Sequence, residues 1–281
     1  MHDIDNRNPT SPRLTVAIPL FHAAPWFDTV AENISRIPQD ARILISDETC
    51  SDDTVQRIAA HFGEDPRIRL RRGNGSPGWR EHCNALIQEC DTELFSFLPQ
   101  DDQIEPGYYE KLVAALDAAP AAGIAFGSLY FEGPQFPSPS RQPSPPFPTG
   151  SLEPWMEAVD LDRQWNLGIA FRGVMRRDRM RAIPPTPGDR FADKLWIFGM
   201  ALTCRLVEVS DAVYRKRIHE RNTFTRWRAF TTGEWKALLK AEIHSALGMG
   251  KTATQAIERM DQRFEEYLAT RMAGWRSLGI C

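Results

Sequence analysis

The sequence has little of what usually betrays a chemistry outright. Its five cysteines (Cys50, Cys83, Cys90, Cys204 and Cys281) are odd in number and scattered, with no Cys-x-x-Cys spacing. That argues against a disulfide scaffold or a zinc site and for a reducing compartment. Long apolar runs are missing too. The longest, 195–202, is far too short to span a bilayer, and the first residues hold no apolar signal core. A cytoplasmic protein is expected, able at most to touch the inner face of a membrane. Charge of one sign is also lacking. There are 34 basic residues against 37 acidic ones, a net −3, so nothing global points to nucleic acid. The glycine-rich loop 72–78 lacks the Gly-Lys-Ser/Thr ending of a Walker loop, and it is not a dinucleotide fingerprint.

What is present is a 281-residue chain, 42% hydrophobic. That suits one large α/β domain, or a core with an appended piece. Residues 14–20 read as a strand buried on both faces and ended by Pro19. Further strands follow at 42–46, 67–70, 94–98 and 123–132. Helices alternate with them at 26–37, at 54–62 behind Ser51 or Asp52 as cap, from Trp79, and at 107–118. This alternation predicts a mainly parallel, three-layer α/β fold. Residues 133–150 carry seven prolines and read as a loop. Beyond it, 167–175 and 206–209 read as strands and 190–202 as a mostly apolar helix. Two amphipathic helices, 233–247 and 253–272, close the chain.

Acidic groups recur where strands finish. Asp47 ends the second strand, and Asp101 and Asp102 follow the fourth, just past Pro99. Parallel strands with crossovers bring such loops to one edge, where open α/β sheets bind ligands. Asp47, the glycine-rich loop and the Asp101–Asp102 pair should therefore line one cleft. Adjacent carboxylates repel unless a cation lies near, and a hard divalent ion takes ligands of this kind. The alternative is a solvated turn that merely starts the next helix. Over 205–228 there are seven Arg or Lys against three acids. Such a zone suits an anionic ligand such as a diphosphate, or is an ordinary solvated face. Arg80 and Asn84 are four apart and share a helix face.

The order of these features, over about residues 14–227, resembles glycosyltransferase family 2, nucleotide-sugar-dependent enzymes with the GT-A fold. The strand ending in Pro19 looks like the family's opening strand. Ser46-Asp47 with Asp52 and Asp53 is similar to its Asp-Asp-Gly-Ser-Thr-Asp segment, and Gly78 through Asn84 to its glycine-rich helix start. Pro99-Gln100-Asp101-Asp102 falls where the Asp-x-Asp metal motif lies. Phe191-Ala192-Asp193, then Leu195-Trp196, is similar to its Glu-Asp segment, and His219 sits where some relatives place another metal or diphosphate contact. There are three departures from the pattern: Pro99 for the first Asp, Thr49 and Cys50 for the Gly-Ser turn, and Ala192 for the Glu before the base.

The resemblance implies a GT-A (Rossmann-like), three-layer, mainly parallel sheet with a C-terminal helical extension. Residues 1–132 would be the nucleotide-sugar half, 133–150 a proline-rich loop, 151–230 the acceptor and catalytic half, and 231–281 the extension. It implies transfer of a sugar, with inversion, from a nucleoside-diphosphate sugar, UDP being the family-level choice. The acceptor would be a hydroxyl of a saccharide or lipid-linked saccharide, in polysaccharide or glycoconjugate synthesis. Asp193 would be the catalytic base. Pro19, Asp47, Trp79, Arg80, Asn84, Asp101 and Arg217 would contact the nucleotide. Asp101, Asp102 and His219 would hold a divalent metal, Mn²⁺ or Mg²⁺. Each has a plainer reading beside it: Asp193 paired with Lys194 or Arg190, His219 as a hydrogen-bonded structural residue, Asp47 as its own loop's cap, Trp79 as packing. The C-terminal helices read as a packing or homodimer element, with membrane-surface docking as the other reading. Two competing functions are a nucleotidyltransferase that makes nucleotide sugars and a non-catalytic nucleotide-sugar-binding module. Against the first, the turn Phe21-His22-Ala23-Ala24-Pro25 lacks a glycine-rich signature. Pro99 and Ala192 make the second thinkable.

Overall fold

The structure, a computed structural model, describes residues 11–47, 52–72, 78–142, 152–162, 167–181, 191–222 and 231–277. Thr49, Cys50, Ser51, most of the glycine-rich loop (73–77), the last four prolines of the proline-rich stretch (Pro143, Pro145, Pro146 and Pro148), Arg190, Arg226 and Trp227 lie outside the described residues.

The first half is four parallel strands with covering helices. β1 (Leu14–Leu20), β2 (Arg42–Asp47), β3 (Ile68–Arg72) and β4 (Leu94–Phe97) lie in the order β3-β2-β1-β4. Leu20 of β1 pairs in register with Asp47 of β2, so both strands finish at one level. β1, β2 and β4 are near-continuous apolar runs buried on both faces, as strands between two helical layers must be. β3 is the edge, and its Ile-Arg-Leu-Arg-Arg sequence keeps it charged and partly exposed. The crossovers are α1 (Phe27–Arg36), α2 (Thr54–Phe62) and α3 (Trp79–Glu89). The N-cap of α2 is Asp53, not the expected Ser51 or Asp52, and its side chain makes no cap bond. Asp52, one residue earlier, accepts from Thr54 N on one carboxylate oxygen and from Ala24 N on the other, both at 3.0 Å, tying this helix start to the turn after β1.

The second half departs from simple alternation. It contains β5 (Gln103–Ile104), α4 (Tyr108–Ala118), β6 (Ala122–Glu132), β7 (Ser140–Arg141) and α5 (Pro154–Asp162). A 3-10 helix (Leu167–Arg172), β8 (Val174–Arg176), α6 (Arg177–Arg181), α7 (Ala192–Thr203) and β9 (Arg205–Arg217) follow. The sheet continues as β4-β8-β6-β9-β5, with β7 on β6. The long β6–β9 pairing is parallel, whereas β8 and β5 are short antiparallel inserts. The result is the curled, mostly parallel three-layer sheet expected.

Several local expectations are corrected. Residues 167–175 are a 3-10 helix and a short strand, not one strand. The joint is Gly173, where a Cβ would stand 2.3 Å from the Ala125 carbonyl oxygen, so only glycine permits the turn. β9 runs to Arg217 instead of stopping at Val209, because a register shift opposite Gly127 and Ser128 lets the ladder resume at Val213. The proline-rich stretch is not all loop: it holds β7. The chain closes with α8 (Thr232–Leu247), begun by a Thr231–Glu234 capping box, and α9 (Lys251–Ser277). α8 lies against α7, and α9 is held to α5 by Asp160, which takes both Arg259 and Arg263. Among the described residues no helix is long and apolar enough to cross a membrane.

Candidate active site

The turn after β4 builds the acidic corner. Pro99 ends the ladder, and Asp102 N donates back to Pro99 O at 3.2 Å, closing a tight turn. Gln100 clamps this turn to the one after β1: Phe21 N donates to Gln100 Oε1 (2.7 Å), and Gln100 Nε2 donates to Phe21 O (2.8 Å). Asp101 lies inside this turn and Asp102 closes it, so the two carboxylates face different surroundings.

Asp101 meets the turn that follows β9. Its Oδ2 accepts from His219 Nε2 at 2.9 Å and from Asn222 Nδ2 at 3.0 Å. His219 Nδ1 accepts from Arg221 N at 3.1 Å, which puts the imidazole proton on Nε2, facing Asp101. Trp26 covers the imidazole with ring centroids 4.8 Å apart, and the Arg217 guanidinium lies over Trp26 at 5.3 Å. Burial raises the Asp101 pKa, and the Asp102 charge adds to it. Lys216 and His219 act the other way.

Asp102 does not fit the metal role expected of it. It is 0% exposed. Its Oδ2 accepts from Tyr214 Oη (2.9 Å) and Arg172 Nε (3.3 Å), and its Oδ1 accepts from Arg217 N (3.1 Å). Its carbonyl accepts from Asn33 Nδ2 at 2.8 Å. The carboxylate is enclosed by protein donors, so it presents no oxygen toward a ligand. The Arg217 guanidinium lies over Trp26, the residue before α1, with Nη1 3.4 Å from Thr29 Oγ1 in that helix.

Two cations that the sequence reading assigned no role lie among these acids. Arg172 ends the 3-10 helix and is almost wholly buried. Burial works against its charge, but Asp102, Tyr214 and Asp193 outweigh it and its pKa is raised. Lys216 shares the Tyr214 face of β9. Burial lowers its pKa and Arg172 adds to that, while Asp102, Asp101 and Asp193 oppose it. The fields of Asp101, Asp102 and Asp193 thus converge on one lysine. Asp193 sits in the first turn of α7, behind Phe191 in a left-handed conformation (φ 56°). Its Oδ1 is buried and has no hydrogen-bond partner among the described residues.

The other predicted residues divide between the ends of β1 and β2 and the start of α3. Pro19 and Asp47 lie at the paired ends of β1 and β2. Beneath them Ser46 Oγ is 2.7 Å from His82 Nε2 and accepts from Arg71 Nη1 at 3.2 Å. Burial lowers the His82 pKa to about 4, and Arg71 adds to this, so His82 is neutral. Nothing in its helical pattern singled it out. Arg80 pairs with Glu81, and Asn84, one turn on, is half-buried. Trp79 packs edge-on to Phe171 (6.2 Å), which stacks on Phe97 (4.9 Å). Its Nε1 is buried without an acceptor among the described residues. Also among the described residues, no cluster of three or more His, Cys, Asp or Glu could hold a metal.

A curled α/β sheet of this order, with acids gathered at its strand ends, defines a glycosyltransferase of the GT-A fold. Residues 15–180 match the sequence profile of Glycosyl transferase family 2, and the chain belongs to that family. Among solved structures it is similar to S. aureus TarS 1-349 in complex with UDP-GlcNAc, with a TM-score of 0.64 and 14% identity, spanning 89% of this chain and 72% of that one. It is also similar to the mannosyltransferase PcManGT from Pyrobaculum calidifontis in complex with GDP-Man and Mn²⁺, with a TM-score of 0.57 and 15% identity, spanning 96% and 81%. At these identities the likeness is one of fold. No curated protein sequence matches the chain.

Proposed function

We propose that the protein transfers a sugar, with inversion, from a nucleoside-diphosphate sugar to a hydroxyl of a saccharide or lipid-linked saccharide. Asp193 is the base. It takes the hydroxyl proton as that oxygen attacks the anomeric carbon and the nucleoside diphosphate leaves from the opposite face. The observation that carries this reading is the buried, unpartnered Asp193 Oδ1, in a cluster whose lysine also feels Asp101. UDP- and GDP-sugars are the donors to test first, because TarS and PcManGT are described with them.

Asp47, Pro19, Arg80 and Asn84 would form the nucleoside side, and Trp79 would pack beneath it. Residues 1–132 would be the donor half and 151–230 the acceptor half, with 231–281 buttressing them. Asp101 Oδ2 and His219 Nε2, 2.9 Å apart, would offer one oxygen and one nitrogen donor to a divalent ion once that ion displaces the Nε2 proton now facing Asp101. Two protein donors are few, yet an ion of this kind commonly completes its shell with water and substrate phosphates. The pair therefore fits Mn²⁺ or Mg²⁺, with Asp102 left out. Such an ion, when bound, would stabilise the charge gathering on the leaving diphosphate.

The test is a thermal-shift screen of UDP-, GDP- and dTDP-sugars with and without Mn²⁺, followed by nucleotide release from the donor that binds. Asp193→Asn should lower turnover by about 10²-fold or more while retaining donor binding. Full turnover in that variant would remove the base, and release of pyrophosphate from a nucleoside triphosphate and a sugar phosphate would favour a nucleotidyltransferase instead.

A further inference from the structure

Asp102 raises a question that its burial answers only in part. A carboxylate with no exposure, in a cluster that already holds Asp101 and Asp193, adds to like-charge repulsion unless it serves a cation. The cation is Arg172. Its Nε donates to Asp102 Oδ2 (3.3 Å) and its Nη1 to Gly168 O (3.2 Å), while its own carbonyl accepts from Tyr108 Oη (2.9 Å). Both the side chain and the backbone of Arg172 are therefore fixed. The same short helix abuts Asp193. A Cβ at Gly168 would stand 3.9 Å from Asp193 Oδ2 and 3.1 Å from Lys194 Cγ. Asp193 is also among the charges that act on the Arg172 guanidinium. One buried arginine thus lies in the fields of two acids, one enclosed by donors and one with an oxygen left open.

We propose that Arg172, anchored by Asp102, is a positioning residue for Asp193, and that Asp102 serves the base and not the metal. The fixed guanidinium holds the short helix against which Asp193 lies, and so sets where that carboxylate stands. Lysine would do this less well, because its point charge cannot reach Asp102 and the Gly168 carbonyl with the geometry of a planar fork. This inference rests on Asp193 being the base.

The experiment compares Arg172→Met, Arg172→Lys, Asp102→Asn, Asp101→Ala and Asp193→Asn. Turnover is read as UDP or GDP release from UDP-GlcNAc and GDP-mannose with Mn²⁺, and binding as calorimetry of UDP and GDP with and without Mn²⁺. Arg172→Met should lower turnover about 10²-fold, leave nucleotide affinity unchanged, and be partly rescued by Arg172→Lys. In the Asp193→Asn background it should cost nothing further, because residues acting as a unit are not additive. Asp102→Asn should keep the Mn²⁺ dependence of nucleotide binding, which Asp101→Ala should lose. Losses that multiply in the double variant would overturn the proposal, as would an Asp102→Asn variant that loses Mn²⁺ dependence like Asp101→Ala. Arg172→Met strands a buried charge. If it does not fold, the neutral pair Asp102→Asn with Arg172→Met replaces it in the same cycle, with near-UV circular dichroism as the check on folding. Undiminished turnover in Asp193→Asn alone would instead remove the base reading beneath it.

Discussion

Replacing Glu242 by glutamine should stabilise the protein by an amount that grows with pH. Glu242 lies in α8, the helix that packs against α7, which carries Asp193. It is 4% exposed, and its Oε1 has no hydrogen-bond partner among the described residues. Burial alone pushes its carboxyl from 4.5 up to about 7. A carboxyl raised in this way takes up a proton on folding. Its neutral form is accommodated at low pH, and the cost of burial appears as pH rises from about 4.5 through about 7. At about 1.4 kcal/mol per pKa unit, that separation corresponds to roughly 3 kcal/mol by pH 8. At pH 5 the same calculation leaves less than about 1 kcal/mol. The side chain is too buried for solvent screening to discount this. Urea unfolding of wild type and Glu242→Gln at pH 5 and pH 8 reads the difference directly, because every other titrating group cancels between the two. The variant should gain little at pH 5 and about 3 kcal/mol at pH 8. A stability gap that stays flat across that range would refute the argument.

Other perturbations probe separate parts of the structure. Asp101→Ala should release the His219 turn as well as the proposed cation, so Mn²⁺-dependent protection of residues 219–222 in amide exchange should disappear; unchanged protection would count against the pair. Gly173→Ala should cost at least about 2 kcal/mol, since the new methyl meets a backbone oxygen that cannot move aside, and a melt within a degree of wild type would contradict this. Thr231→Ala removes one half of the capping box and should cost about 1 kcal/mol, with fraying confined to the start of α8. Glu234→Ala should mimic it in part.

How much of this was legible in the sequence varied with the length of each signal. The β1, β2 and β4 runs and the helices between them are long or strongly periodic, and their order alone brought Asp47 and Asp101 to one edge. Residues 167–172 were misread because Leu-Gly-Ile-Ala-Phe-Arg is as apolar as a strand, and periodicity cannot separate the two over six residues. β9 was cut short because Ser210 and Asp211 look like a turn; they are a register shift inside a longer strand. The adjacency of Asp101 and Asp102 suggested a joint task, yet the tight turn that holds them sends Asp101 to His219 and Asp102 to Tyr214 and Arg172. Arg172, Lys216 and His82 carried no local mark at all. Their importance comes from residues far along the chain, such as Asp102 for Arg172 and Ser46 for His82.

The Gln100 clamp has a consequence for how the exposed edge of the acidic corner can change. Its amide grips the N–H and the C=O of Phe21 and ignores the ring, which is 52% exposed. The identity of that side chain is therefore decoupled from the stability of the loop beneath it. A tyrosine, leucine or methionine grafted there would alter what the entrance greets while leaving the acid-bearing turn seated as before. Framework and frontage are separately adjustable at this position, so the exposed side chain can be varied without rebuilding the acid-bearing turn.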